Sequence, residues 1–128
     1  MSVSTFLPRL KKLPAYRDQI VHVEHIAPRE ASHGELDEPL HSRLQESLEA
    51  NGLFPLYSHQ AKAVNLVRGG KNVVVVTPTA SGKTLCYNIP VLDTILTQKA
   101  CRALYLFPTK ALAQDQLRSL RELTTEQK

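Results

Sequence analysis

Residues 72 to 90 read NVVVVTPTASGKTLCYNIP, and no other stretch of this chain restricts its fold as tightly. Four consecutive valines between Asn72 and Thr77 suit a strand covered on both faces, the kind found inside a parallel sheet. The polar, glycine-bearing run that follows marks a loop, and the pattern from Lys83 onward predicts a helix. A strand that turns through such a loop into a helix aims backbone N–H groups at whatever sits above the sheet edge, a natural place for phosphate.

The loop TPTASGKT matches the phosphate-binding pattern G-x-x-x-x-G-K-[ST] from its second glycine onward, with Thr77 in place of the first. Each residue type has a reason. N–H groups of Thr79, Ala80, Ser81, Gly82, Lys83 and Thr84 would wrap phosphates, and Gly82 allows close approach because it lacks a side chain. Lys83, expected to face solvent in the empty loop, would set its ammonium against the β and γ phosphates of a nucleotide. Thr84 would offer its hydroxyl to Mg²⁺, an ion that prefers oxygen ligands. Lys83 and Thr84 are therefore the candidate catalytic residues.

Around this loop the sequence alternates strand and helix. Asp37 to Gly52 carries Leu40, Leu44 and Leu48 at four-residue spacing and ends in Asn-Gly, which predicts an amphipathic helix. Ser58 is the expected N-cap of a second helix whose face is Ala61, Val64 and Val67, closed by Gly69 and Gly70. A strand over Val73 to Val76, the helix from Lys83, a strand over Ala103 to Phe107 and a helix from Thr109 to Leu123 complete the series. Pro90 should break or kink the third helix. The expected class is α/β with parallel strands, since parallel strands need crossovers of about this length.

The first 36 residues read as an accessory segment. Ser4 to Leu13 predicts a short helix interrupted by Pro8, and QIVHVEHIA (residues 19–27) alternates like a strand. In that strand His22 and His25 lie on opposite faces, which disfavours a shared metal. Cys86 and Cys101 are too few for a disulfide framework and are expected as buried thiols.

The 128 residues and 42% hydrophobic content suit one modest domain or part of one. No apolar run approaches membrane-spanning length, and the amino terminus lacks a signal-peptide core, so a cytoplasmic location without membrane contact is expected. The net charge of +4 is unevenly spread: residues 51–128 hold ten Lys and Arg against four acids. Either an anionic partner or ordinary solubilising lysines would account for that.

Three segments in order, GLFPLYSHQ, TPTASGKT and PTKALAQDQ, resemble the Q motif, motif I and motif Ia of superfamily 2 helicases of the DEAD/DEAH-box group. The wording LYSHQAKAVNLVRGGKNVVVV is most similar to the DNA-repair branch that contains mitomycin repair factor A and the Hrq-like helicases. This resemblance implies a partial RecA-like domain over residues 37–128, ATP and Mg²⁺ as cofactors, and nucleic acid, DNA rather than RNA, as partner. It implies that Gln60 reads adenine, a role its carboxamide suits because it donates and accepts at once. Leu56 and Tyr57 depart from the usual Pro-Thr, so Tyr57 is expected to pack on the base. Pro108, Thr109 and Lys110 are implied contacts to a nucleic-acid backbone, positioned at a helix amino terminus. The sequence contains no DExD or DExH box, so an amino-terminal helicase fragment is expected. The alternatives are an inactive nucleotide- or nucleic-acid-binding remnant and a different P-loop enzyme such as a small-molecule kinase.

Overall fold

A computed structural model describes residues 3–28, 30–78, 81–98 and 100–124. The chain divides into two compact units, residues 1–30 and residues 31–128. Within the first, helix α1 (Val3–Leu10) includes Pro8 near its end. Arg17 then closes a turn by donating to the carbonyls of Pro14 and Tyr16. The alternation at residues 19–27 does not become a strand: these residues carry no ladder, and Val21 and Ile26 are 94% and 85% exposed. Neither face found a layer to bury it. His22 and His25 are both exposed, and the described residues hold no metal-ligating cluster.

The second unit is built on α2 (Ser42–Ala50), α3 (Ser58–Arg68), α4 (Lys83–Thr97) and α5 (Lys110–Thr124). Helix α3 packs along α4, and α2 packs on α4 and α5. Leu44, Leu48, Leu56, Val64, Ile89 and Leu92 form the centre of the core, joined by Leu123 of α5. Each buried leucine there contributes about 1.5 to 3 kcal/mol relative to exposure.

Helix α2 starts five residues later than its leucine spacing predicts. Residues 35–41 instead give their backbone groups to side chains of neighbouring helices. Asn65 bonds the Asp37 N–H and the Glu35 carbonyl, and Arg68 donates to the carbonyls of Glu38 and Pro39. Asp93 accepts the His41 N–H at 2.8 Å. The end of α2 follows expectation, with Gly52 at φ 65 and Leu53 N–H bonded to the Leu48 carbonyl.

Ser58 is the first residue of α3 instead of its cap, because its N–H is taken by the Ser32 carbonyl and Tyr57 stands at the cap position. Ala61 and Val64 are buried as expected, but Val67 is 38% exposed, and Gln60 and Ala63 complete the inner face. Helix α4 continues through Pro90, which is buried. Thr109 caps α5, its hydroxyl accepting the Leu112 N–H at 3.2 Å.

The parallel sheet is not seen. Among the described residues no strand is formed; a single antiparallel bridge joins His33 and Tyr57. Segments 73–77 and 104–107 nevertheless keep a two-residue period of exposure. Val74 and Val76 are 90% and 89% exposed, and Leu104 and Leu106 are 85% and 84% exposed, while the residues between them are half-buried. Valine runs favour extended backbone locally, but a sheet needs ladder partners, which no local preference supplies. Among the described residues no helix is long and apolar enough to cross a membrane.

Candidate functional site: the loop between Thr77 and Thr84

The loop is held at two points by the first turn of α3. Gln60 spans from its own helix start to the loop: its Oε1 accepts the Tyr57 N–H at 2.9 Å and its Nε2 donates to the Gly82 carbonyl at 3.0 Å. One residue earlier, His59 Nε2 lies 2.9 Å from the Ser81 carbonyl. Gln60 is buried, at 2% exposure. Its burial is tolerated because both ends of the carboxamide are bonded.

Gly82 occupies the N-cap of α4 with φ 71, the left-handed region where a side chain is unfavourable. A Cβ at this position would sit 2.5 Å from Gln60 Nε2. The glycine is thus required twice, by its backbone angle and by the side chain packed over it. Beyond it the Leu85 N–H bonds the Gly82 carbonyl at 3.1 Å, whereas the N–H groups of Lys83 and Thr84 precede the helix's own hydrogen-bond ladder, and the helix dipole favours an anion there.

Lys83 departs from expectation. Instead of facing solvent, its ammonium turns back into the loop, donating to the carbonyls of Thr77 at 2.9 Å and Pro78 at 2.6 Å, with Ser81 Oγ at 3.4 Å. An ammonium has three donors and no acceptor, and these oxygens satisfy them. Thr77 and Ser81 also join through their hydroxyls at 2.5 Å, so the first and last parts of the loop are drawn together. Thr84 follows in the first turn of α4, half-buried. Thr79 and Ala80, two of the residues expected to wrap phosphate, lie outside the described residues.

Tyr57 is 44% exposed and stands between two imidazoles, with ring centroids 5.5 Å from His33 and 6.0 Å from His59, all close to parallel. His33 and His59 were not singled out by the sequence. The Ser-His-Gln order gave no spacing signal, and His33 reaches Tyr57 only because Gly34 N–H bonds the Leu56 carbonyl. Pro108, Thr109 and Lys110 are all exposed at the start of α5.

Cys86, on the first turns of α4, is buried, whereas Cys101 is only half-buried. Burial pushes the Cys86 thiol above its ordinary value, against smaller opposing effects of a backbone hydrogen bond and the Lys83 charge. It is a packed thiol, not a nucleophile.

Residues 57–128 match the pattern of the DEAD/DEAH box helicases. The chain belongs to that family. Its sequence is 49% identical over 109 residues to the ATP-dependent helicase YprA of Bacillus subtilis, covering 85% of this chain and 15% of that protein. It is 39% identical over 122 residues to the ATP-dependent helicase hrq1 of Schizosaccharomyces pombe, covering 93% of this chain and 12% of the relative. Among solved structures, the DUF1998 helicase MrfA bound to DNA and AMPPNP superposes with a TM-score of 0.76 at 42% identity, over 100% of this chain and 18% of that one. MrfA bound to DNA gives 0.77 at 44% identity, over 97% and 16%. These helicases are of the MrfA and Hrq1 branch that the sequence resembles. The chain therefore spans less than a fifth of each of these helicases.

Proposed function

We propose that this chain forms the ATP-binding part of the first motor domain of an ATP-dependent DNA helicase. The observation that carries the proposal is the double attachment of the loop to α3, with Gln60 on Gly82 and His59 on Ser81. A loop tied beside a helix amino terminus, with a lysine whose partners among the described residues are oxygens that a phosphate can replace, suits a triphosphate.

In this reading Gly82, Lys83 and Thr84 hold the phosphates, together with Thr79, Ala80 and Ser81. Lys83 exchanges the Thr77 and Pro78 carbonyls for phosphate oxygens. Gln60 reads adenine with the N–H and lone pair that its two present bonds leave over, and Tyr57 packs against the base. Mg²⁺ neutralises charge on the phosphates, with the Thr84 hydroxyl as one ligand and phosphates and water as the rest. Pro108, Thr109 and Lys110 touch the backbone of a DNA strand, and the Thr109 hydroxyl, which accepts from Leu112, still has its own hydrogen to donate.

Residues 1–36 are an accessory segment, and residues 37–128 are the opening of a RecA-like α/β domain in a cytoplasmic protein. The two-residue periodicity at 73–77 and 104–107 supports their becoming strands of its parallel sheet. Because the sequence has no DExD or DExH box, the 128-residue chain by itself should bind ATP without hydrolysing it.

Two separable sites make the test. The chain is titrated with ATP and with a labelled single-stranded DNA, as wild type, Lys83→Ala and a Thr109→Ala, Lys110→Ala double variant. Lys83→Ala should lose ATP by at least about tenfold while keeping DNA, and the double variant should do the reverse. ATP binding with no affinity for DNA would favour a small-molecule kinase, and DNA binding without ATP would favour a remnant.

A further inference from the structure

We infer that His59 is a positioning residue of the phosphate loop, setting the direction of the Gly82 N–H through its bond to the Ser81 carbonyl. The inference rests on the reading of residues 77–84 as a nucleotide site. A trans peptide group is planar, with its C=O and N–H pointing to opposite sides. The Ser81 carbonyl shares such a plane with the Gly82 N–H, and the Gly82 carbonyl shares one with the Lys83 N–H. The Gly82 carbonyl is fixed twice, by Gln60 Nε2 at 3.0 Å and by the Leu85 N–H at 3.1 Å. The Ser81 carbonyl meets His59 at 2.9 Å.

With both carbonyls drawn toward α3, the Gly82 and Lys83 N–H groups are turned away from it, toward the mouth of the loop. Gly82 is where this control matters most. At a glycine both peptide planes rotate easily, so without His59 the Ser81–Gly82 plane has little else to hold it. A carbonyl oxygen only accepts, so the hydrogen in this contact is on His59 Nε2.

The same ring also has a packing role, since it lies 6.0 Å from Tyr57 and 12° from parallel. Two substitutions separate the roles. His59→Phe keeps a flat ring against Tyr57 and removes the donor. His59→Gln removes the ring and keeps an N–H the same number of bonds from Cα.

The chain, as wild type and both variants, is titrated calorimetrically with ATP, GTP and inorganic triphosphate, with unfolding followed by circular dichroism. His59→Phe should weaken all three by about three- to tenfold, the scale of one hydrogen bond. The loss should be equal for ATP and GTP, because the contact acts on the phosphates. His59→Gln should stay within about twofold of wild type on the same scale. The reverse order, with His59→Gln weak and His59→Phe like wild type, would overturn the inference in favour of ring packing. Wild-type affinity in both variants would overturn it too. Failure of the wild-type chain to bind any of the three would instead remove the nucleotide site itself, and the positioning role with it.

Discussion

The side chain of Gln60 lies directly over Gly82, close enough that its Nε2 donates to the glycine carbonyl at 3.0 Å and would stand 2.5 Å from any Cβ built there. Gly82→Ala therefore imposes a left-handed backbone angle on a side-chain residue and forces Gln60 aside. We expect it to cost about 1 to 3 kcal/mol, measured by urea denaturation. An unchanged midpoint would mean that the loop and α3 are not in contact.

Gln60→Ala removes both the link to the loop and the group proposed to read adenine. ATP binding should weaken by about 1 to 3 kcal/mol, the scale of a bidentate base contact. GTP binding should weaken less, since only the loop contact is lost to it. Equal losses in a parallel titration would leave Gln60 a brace for the loop and nothing more.

A second brace sits at the other end of α3. Arg68 pairs with Asp93 of α4 at 2.6 Å, with side chains 19% and 13% exposed, while also donating to the carbonyls of Glu38 and Pro39. Asp93 spends its other oxygen on the His41 N–H. Asp93→Asn should destabilise the chain by about 1 to 3 kcal/mol, as expected for charged hydrogen bonds in a partly buried setting. Thermal unfolding provides the check, and no loss would show that solvent replaces the pair.

Among the described residues the buried hydroxyl of Tyr105 has no partner, and beside it Tyr87 bonds Gln116 through its own hydroxyl. Tyr105→Phe should be neutral or stabilising by up to about 1 kcal/mol, because no bond is lost and a buried polar atom disappears. Burial, then Tyr87, raises the Tyr105 hydroxyl above its ordinary value, and burial raises Cys86 likewise. A folded-state value above the unfolded one means stability is intact at neutral pH and falls as pH rises through the alkaline range where the free groups ionise, about pH 8.5 to 10. Denaturation midpoints at pH 7 and pH 10 should show a smaller decline for Tyr105→Phe than for wild type. An identical decline would exclude Tyr105 from it.

What could be read from the sequence is what nearby residues decide. Gly82, Lys83 and Thr84 announce a loop because their chemistry is that of the backbone and of one side chain. Leu44 and Leu48 mark α2 by spacing alone, and Gly52 marks its end. The start of α2 was hidden, since Asn65, Arg68 and Asp93 claim residues 35–41 from outside the segment. The direction taken by Lys83 was hidden for the same reason, its partners being carbonyls brought near by the turn. The valines at 73–76 favour extended chain, yet a ladder joins segments distant in sequence. His59 has no repeating pattern to betray it; only the approach of α3 to the loop gives it a partner.

The central claim is that residues 82–84, backed by His59 and Gln60, form a triphosphate site. Amide chemical shifts of the ¹⁵N-labelled chain, recorded as Mg²⁺ and AMPPNP are added, test it most directly. The Gly82, Lys83 and Thr84 amides and the Gln60 side-chain NH₂ should move first and saturate together, and Lys83→Ala should abolish the response. Shifts absent from this loop, or unchanged in Lys83→Ala, would contradict it.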